Sequence, residues 1–181
     1  MLGLCGSLRA QSWNLKLLRA AAAVAPARMT LSIYDGLGAL PHYNADIDEP
    51  GKSGGDVEAL RREIVQSDGI LIVTPEYNFS IPGVLKNAID WASRPSRASA
   101  LWEKPAAIMG ASQSILGSAR AQGALRPVLH SLAMPVLLEP EFFLTQASQR
   151  FEGDELNDDL TRDLLRTFME RFAEWIERTK R

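Results

Sequence analysis

Apolar runs and helical patterns alternate along the whole chain, and this alternation limits the fold more than any other feature of the sequence. Leu2–Cys5 reads as a first strand. Asn14–Val24, rich in Leu and Ala, reads as a helix closed by Pro26. In Thr30–Tyr34 the apolar Leu31 and Ile33 alternate with Thr30 and Ser32, the pattern of a strand wet on one face. Gly36–Gly55 gathers much of the Gly and Pro and reads as a long surface loop. Asp56–Ser67 is a polar helix with Val57, Leu60, Ile64 and Val65 on one side, and Gly69–Val73 is a continuous apolar run that suits a strand buried on both faces. A loop, Thr74–Ile81, leads into a helix over Pro82–Ala92, with Pro82 near its first turn. Lys104–Ala111 reads as a fourth strand, Ser112–Gly117 as a loop and Ser118–Leu132 as a helix interrupted or bent at Pro127. Met134–Leu138 reads as a fifth strand. The last helix, Asp158–Arg178, repeats apolar residues at helical spacing (Leu160, Leu164, Leu165, Phe168, Met169, Phe172, Ile176). Acidic residues crowd its start and basic ones its end, as the helix dipole favours.

Strand then helix, five times over, is the pattern of an α/β doubly wound parallel sheet. The half-wet second strand belongs at an edge and the apolar third in the interior, which the flavodoxin-like order 2-1-3-4-5 provides. A chain of 181 residues is the usual size of one domain, and residues 1–181 are expected to form one. With 20 basic and 22 acidic residues the formal charge is −2, which gives no reason to expect nucleic acid or an anionic membrane as partner. The single cysteine, Cys5, excludes an intrachain disulfide and a zinc site of several thiolates. His42 and His130 lie far apart and carry no metal-ligand spacing, so no metal site is expected. No apolar run approaches the ~18 residues of a membrane span. Met1–Ser7 is too short for a secretory signal, so the chain reads as cytoplasmic. The shortness of the first strand leaves room for a few residues ahead of Met1.

In such a sheet ligands bind beyond the carboxyl ends of the strands, near the switch point between strands 1 and 3. Three loops leave those ends. The first, Gly6–Asn14, sets Ser7, Arg9, Ser12 and Asn14 before a helix start, where exposed N–H groups favour an anion and Arg9 adds a charge-assisted bond. An ordinary helix cap by Ser12 or Asn14 is the plainer alternative. The loop is neither a GxGxxG fingerprint nor a Walker A loop. Low-molecular-weight tyrosine phosphatases place a nucleophilic cysteine at this turn, but their motif needs five residues between Cys and Arg and this chain has three, so Cys5 reads as a small buried strand residue. The second loop, Thr74–Gly83, is stiffened by Pro75 and Pro82 and offers Tyr77, Asn78 and Phe79 to a flat heteroaromatic ring. Glu76 is a candidate base, with a surface or helix-capping carboxylate as the competing reading. The third loop, Ala111–Ser118, is small and polar and suits either a pocket wall or a helix entrance.

Together these loops resemble the NADPH-dependent FMN reductase family, which includes bacterial quinone and chromate reductases. Two segments carry the likeness: Gly6-Ser7-Leu8-Arg9 with Ser12 and Asn14, and the long run from Pro75 to Trp91. Gly117-Ser118-Ala119-Arg120-Ala121-Gln122 is similar to the family's Gly-Gly-x-Arg-x-Gln segment, with Ser118 in place of the second glycine. The resemblance implies FMN as cofactor, its phosphate held by Ser7, Arg9, Ser12 and Asn14. It sets Pro75, Glu76, Tyr77 and Asn78 along the isoalloxazine and ribityl portion, and Ser112 against the flavin from the third loop. It implies ping-pong transfer of electrons from NADPH or NADH to a small-molecule acceptor such as a quinone, an azo compound, a metal oxyanion or free flavin. It also implies a homodimer or homotetramer. No side chain is expected to be indispensable as acid or base, because the flavin carries the chemistry. Arg94, Arg97 and Lys104 are read as surface residues rather than partners of a nicotinamide 2′-phosphate. The alternatives are a flavodoxin-type electron carrier, against which the near-neutral charge argues, and a flavin-free interaction protein on the same fold.

Overall fold

A computed structural model describes residues 1–49 and 51–179 of the chain. Five parallel strands form one sheet: β1 Leu2–Cys5, β2 Ser32–Tyr34, β3 Ile70–Val73, β4 Ala106–Ala111 and β5 Phe142–Leu144, in the order β2-β1-β3-β4-β5. Helices α1 Trp13–Val24, α2 Gly55–Gln66, α3 Gly83–Ala92, α4 Ala119–His130 and α5 Asp159–Thr179 cover its two faces. The expected sheet order holds, and the reason is visible in β3. Its residues alternate sides, with Ile70 and Ile72 in the core beneath α2, α3 and α4, and Leu71 and Val73 in the core beneath α1 and α5. A strand that must satisfy two cores reads as an unbroken apolar run.

The fifth strand differs from the sequence expectation. Met134–Leu138 makes only an isolated bridge, to the first residue of β4: the Ala106 N–H donates to the Pro135 carbonyl and the Leu137 N–H to the Ala106 carbonyl. Pro135 and Pro140 cannot donate to a ladder, so pairing lapses after Leu137. It resumes with Phe142 opposite Met109. Pro127 does not break α4, because it falls in the last turn, where little of the hydrogen-bond ladder remains to lose. Two short antiparallel strands, β6 Phe151–Glu152 and β7 Glu155–Leu156, form a hairpin beyond the sheet that the sequence pattern had not indicated. Lys16 of α1, itself buried, donates to the Gly153 carbonyl and pairs with Asp154 at 3.0 Å, holding the hairpin to the helix.

The long loop after β2 is fastened rather than loose, and Pro50 within it lies outside the described residues. Asn87 of α3 accepts from the Tyr43 N–H and donates to the Pro41 carbonyl, and the Trp91 indole donates to the same carbonyl. Arg61 of α2 pairs with Asp48 at 2.6 Å. Among the described residues no helix is long and apolar enough to cross a membrane.

Candidate functional site

The ladder continues one residue past three strand ends, and this sets the loops in register. The Gly6 N–H donates to the Val73 carbonyl, Thr74 to Met109 and Ser112 to Leu144. The three loops therefore leave the carboxyl edge side by side around a cleft of about 210 Å³. Eight of the nine expected site residues line it, namely Ser7, Arg9, Ser12, Asn14, Pro75, Glu76, Tyr77 and Ser112. Trp13, Ala111 and Gln113 line it as well. They fall within the first and third loops, but sequence alone singles out none of the three, since their placement depends on the neighbouring strand ends. Larger hollows of about 740 and 790 Å³ lie at the opposite edge, around Lys104 and along α5, away from these loops.

The first loop ends in a capped helix. Ser12, buried, accepts from the Leu15 N–H at 3.2 Å through its hydroxyl. The N–H groups of Trp13 and Asn14 begin the helix and have no carbonyl within it to bond. Arg9 is exposed and makes no ion pair among the described residues. A free guanidinium beside unpaired helix-start N–H groups is a donor set for a dianionic phosphate. Asn14 has a second task. Its amide donates to the Ala111 carbonyl at 3.0 Å and accepts from the Ala111 N–H at 2.9 Å, joining the first loop to the end of β4.

In the second loop Tyr77 and Ser80 exchange both backbone hydrogen bonds at 3.0 Å, closing a tight turn. Asn78 and Phe79 occupy its corners at φ 49° and 67°. Asn78 thus sits at the turn's tip, outside the lining of the cleft. Glu76 is a capping carboxylate rather than a free base. It accepts from the Arg120 N–H at 3.0 Å at the start of α4 and pairs with the Arg120 guanidinium at 2.5 Å.

The third loop is tied to itself: the Ser112 hydroxyl donates to the Ser114 carbonyl and accepts from the Gly117 N–H. Ser118, standing where glycine would be unstrained, holds φ 68° in full burial. Burial pushes the Cys5 thiol up, so no activated thiolate stands at the turn. Lys104 donates to the Ser67 carbonyl at 2.7 Å, at the amino edge of the sheet and remote from the cleft.

This fold and its three-loop cleft define a class: α/β proteins that take a phosphate-bearing ligand at the carboxyl edge of a flavodoxin-like sheet. Comparison with known proteins narrows the class. Residues 1–149 match the model of the family described as NADPH-dependent FMN reductase. A 2-hydroxy-1,4-benzoquinone reductase of a Burkholderia species is 42% identical over 173 residues, covering 94% of this chain and 92% of that protein. An NAD(P)H-dependent FMN reductase of Pseudomonas aeruginosa is 40% identical over 181 residues, covering 99% and 96%. The solved structure of FerB, a flavoenzyme NAD(P)H:(acceptor) oxidoreductase from Paracoccus denitrificans, is 35% identical with a TM-score of 0.90, covering 98% of this chain and 97% of that one.

The chain belongs to the NADPH-dependent FMN reductase family. It is an oxidoreductase that uses FMN and NAD(P)H. The donor set fits FMN, since the cleft supplies a helix start and a free arginine for the phosphate and a rigid Pro75–Tyr77 wall for the ring. A cleft of about 210 Å³ is small for a whole cofactor of this kind.

Proposed function

We propose that the chain passes two electrons from NADPH or NADH to a quinone, an azo compound, a metal oxyanion or free flavin in two half-reactions that share one shallow site. The observation that carries this reading is the meeting of the three loops in one cleft, with the unpaired Arg9 beside the start of α1. Ser7, Arg9, Ser12 and the first N–H groups of α1 hold the FMN phosphate, and Asn14 braces them against Ala111. Pro75, Glu76 and Tyr77 run along the ribityl chain and ring, Asn78 at the turn's tip reaches the flavin from outside the cleft's lining, and Ser112 meets it from the third loop. FMN when bound supplies the hydride-accepting and electron-donating centre. The chain's own residues bind it, orient it and leave one ring face open to both substrates in turn.

The reading includes a homodimer or homotetramer and a cytoplasmic setting. Five of the nine exposed large apolar side chains among the described residues, Leu8, Tyr77, Phe79, Ile115 and Leu116, lie on the three site loops. Apolar groups so concentrated favour burial against another copy. Light scattering checks the assembly, and Ile115→Asp is expected to lower the mass by at least one protomer per particle.

The activity test mixes protein and FMN, removes the excess and adds NADPH without oxygen. Loss of the oxidised flavin absorbance within seconds, and its return on adding a quinone, is the expected result. Bound flavin that stays oxidised would assign the chain to the electron carriers instead.

A further inference from the structure

We infer that Arg120 is a positioning residue for the flavin-binding loop, holding it from outside the cleft; this rests on the reading above. Arg120 belongs to α4 and does not line the cleft. Three contacts nonetheless join it to the loop that does. Its guanidinium grips the Glu76 carboxylate, with Nε and Nη2 each 2.5 Å from Oε1. Its backbone N–H donates to Oε2 of the same carboxylate at 3.0 Å, and that of Ala121 does so at 3.4 Å. The guanidinium also lies over the Phe79 ring, 3.7 Å from its centre.

Glu76 stands just before the tight turn and Phe79 at its second corner. Phe79 holds φ 67°, a region that bulky side chains avoid and keep only where their surroundings over-determine it. Its ring is 69% exposed, so no core packing holds it there. The turn's own two hydrogen bonds and the overlying guanidinium do. One arginine thus fixes the carboxylate before the turn and a ring at its corner. Glu76 itself and the adjacent Tyr77 line the cleft. A site wall fixed before the ligand arrives binds more tightly, because less ordering remains to be done on binding. The Arg120 side chain is 41% exposed and the Glu76 side chain only 9%, but without the guanidinium the carboxylate still accepts from the backbone N–H groups at positions 120 and 121, so it is not left unpaired and global stability falls little. The latch should therefore be felt in binding more than in folding.

The test compares wild type with Arg120→Ala and Arg120→Lys, by FMN titration, apoprotein melting and amide hydrogen exchange of residues 74–82. Arg120→Ala is expected to speed exchange in this segment and to weaken FMN binding by about tenfold, with little change in apoprotein melting. Added guanidinium ion should restore part of the affinity. Arg120→Lys, which keeps the charge but loses the planar fork and the stacking, should fall between the two. Unchanged exchange in Arg120→Ala would overturn the latch. Faster exchange with unchanged FMN affinity would overturn its positioning role. Loss of affinity that follows a fall in melting temperature and is not rescued would make Arg120 merely structural. Wild-type protein that takes up no FMN would overturn the parent reading, while the exchange result would still decide whether the latch exists.

Discussion

Gly110 shows how little freedom a single position has beside this site. A Cβ there would lie 1.9 Å from the Ser118 hydroxyl oxygen and 2.4 Å from the Thr74 carbonyl oxygen. The Ser118 side chain is fully buried and cannot swing away, and the carbonyl belongs to backbone. Gly110→Ala is expected to destabilise the fold by about 3 kcal/mol, read from urea unfolding. Glu76 is a milder case. Its carboxylate faces Arg120 and the start of α4 rather than standing free as a base. Glu76→Gln keeps an acceptor for those N–H groups, so flavin should stay bound and turnover should fall by less than about tenfold, whereas a general base would cost at least a hundredfold. Cys5 gives a pH dependence. Burial raises its pKa in the fold above that of the unfolded chain. Its contribution is complete below the unfolded thiol's range and is lost as pH rises through the raised value, because the native state then keeps a proton that the unfolded state has released. Alkaline melting curves should show this decline, and Cys5→Ala should reduce it.

At the scale of elements, legibility followed how locally each one is determined. β3 was plain in the sequence because two cores ask for the same unbroken apolar run, and α1 to α3 because each carries its own periodic face. β5 was misplaced because Met134–Leu138 has the composition of a strand, while its pairing is decided by two prolines and by what β4 offers opposite. The hairpin β6–β7 has only Phe151 and Leu156 to signal it, and its anchor, Lys16, lies 137 residues away from the carbonyl it holds. The same rule covers the site. The loop residues could be named from their position at strand ends, but the partners of Asn14 and Glu76, 97 and 44 residues distant, could not. Helix α5 gives a check on periodicity. Leu164 continues the apolar repeat yet is 55% exposed, whereas Phe168 is buried. Phe168→Ala should cost about 3–5 kcal/mol, and Leu164→Ser should change stability by about 0.5 kcal/mol or less. Equal losses in the two variants would show that α5 is packed differently.

For the whole molecule, cofactor binding and folding are one equilibrium. The cleft exists only when β1, β3 and β4 lie in register, so FMN binds the native chain and not the unfolded one. At a free concentration of about 100 Kd such a ligand adds about 2.7 kcal/mol. For a domain of this size that raises the melting temperature by about 5–10 °C. Riboflavin has the same ring and sugar chain without the phosphate, so its smaller shift isolates what the first loop contributes. Arg9 is exposed and unpaired among the described residues, so Arg9→Ala should leave apoprotein melting nearly unchanged. It should reduce the FMN shift and leave the riboflavin shift as in wild type, since the two changes remove opposite sides of one contact. If Arg9→Ala reduces both shifts equally, the arginine does not act on the phosphate, and the first loop must serve the flavin in another way.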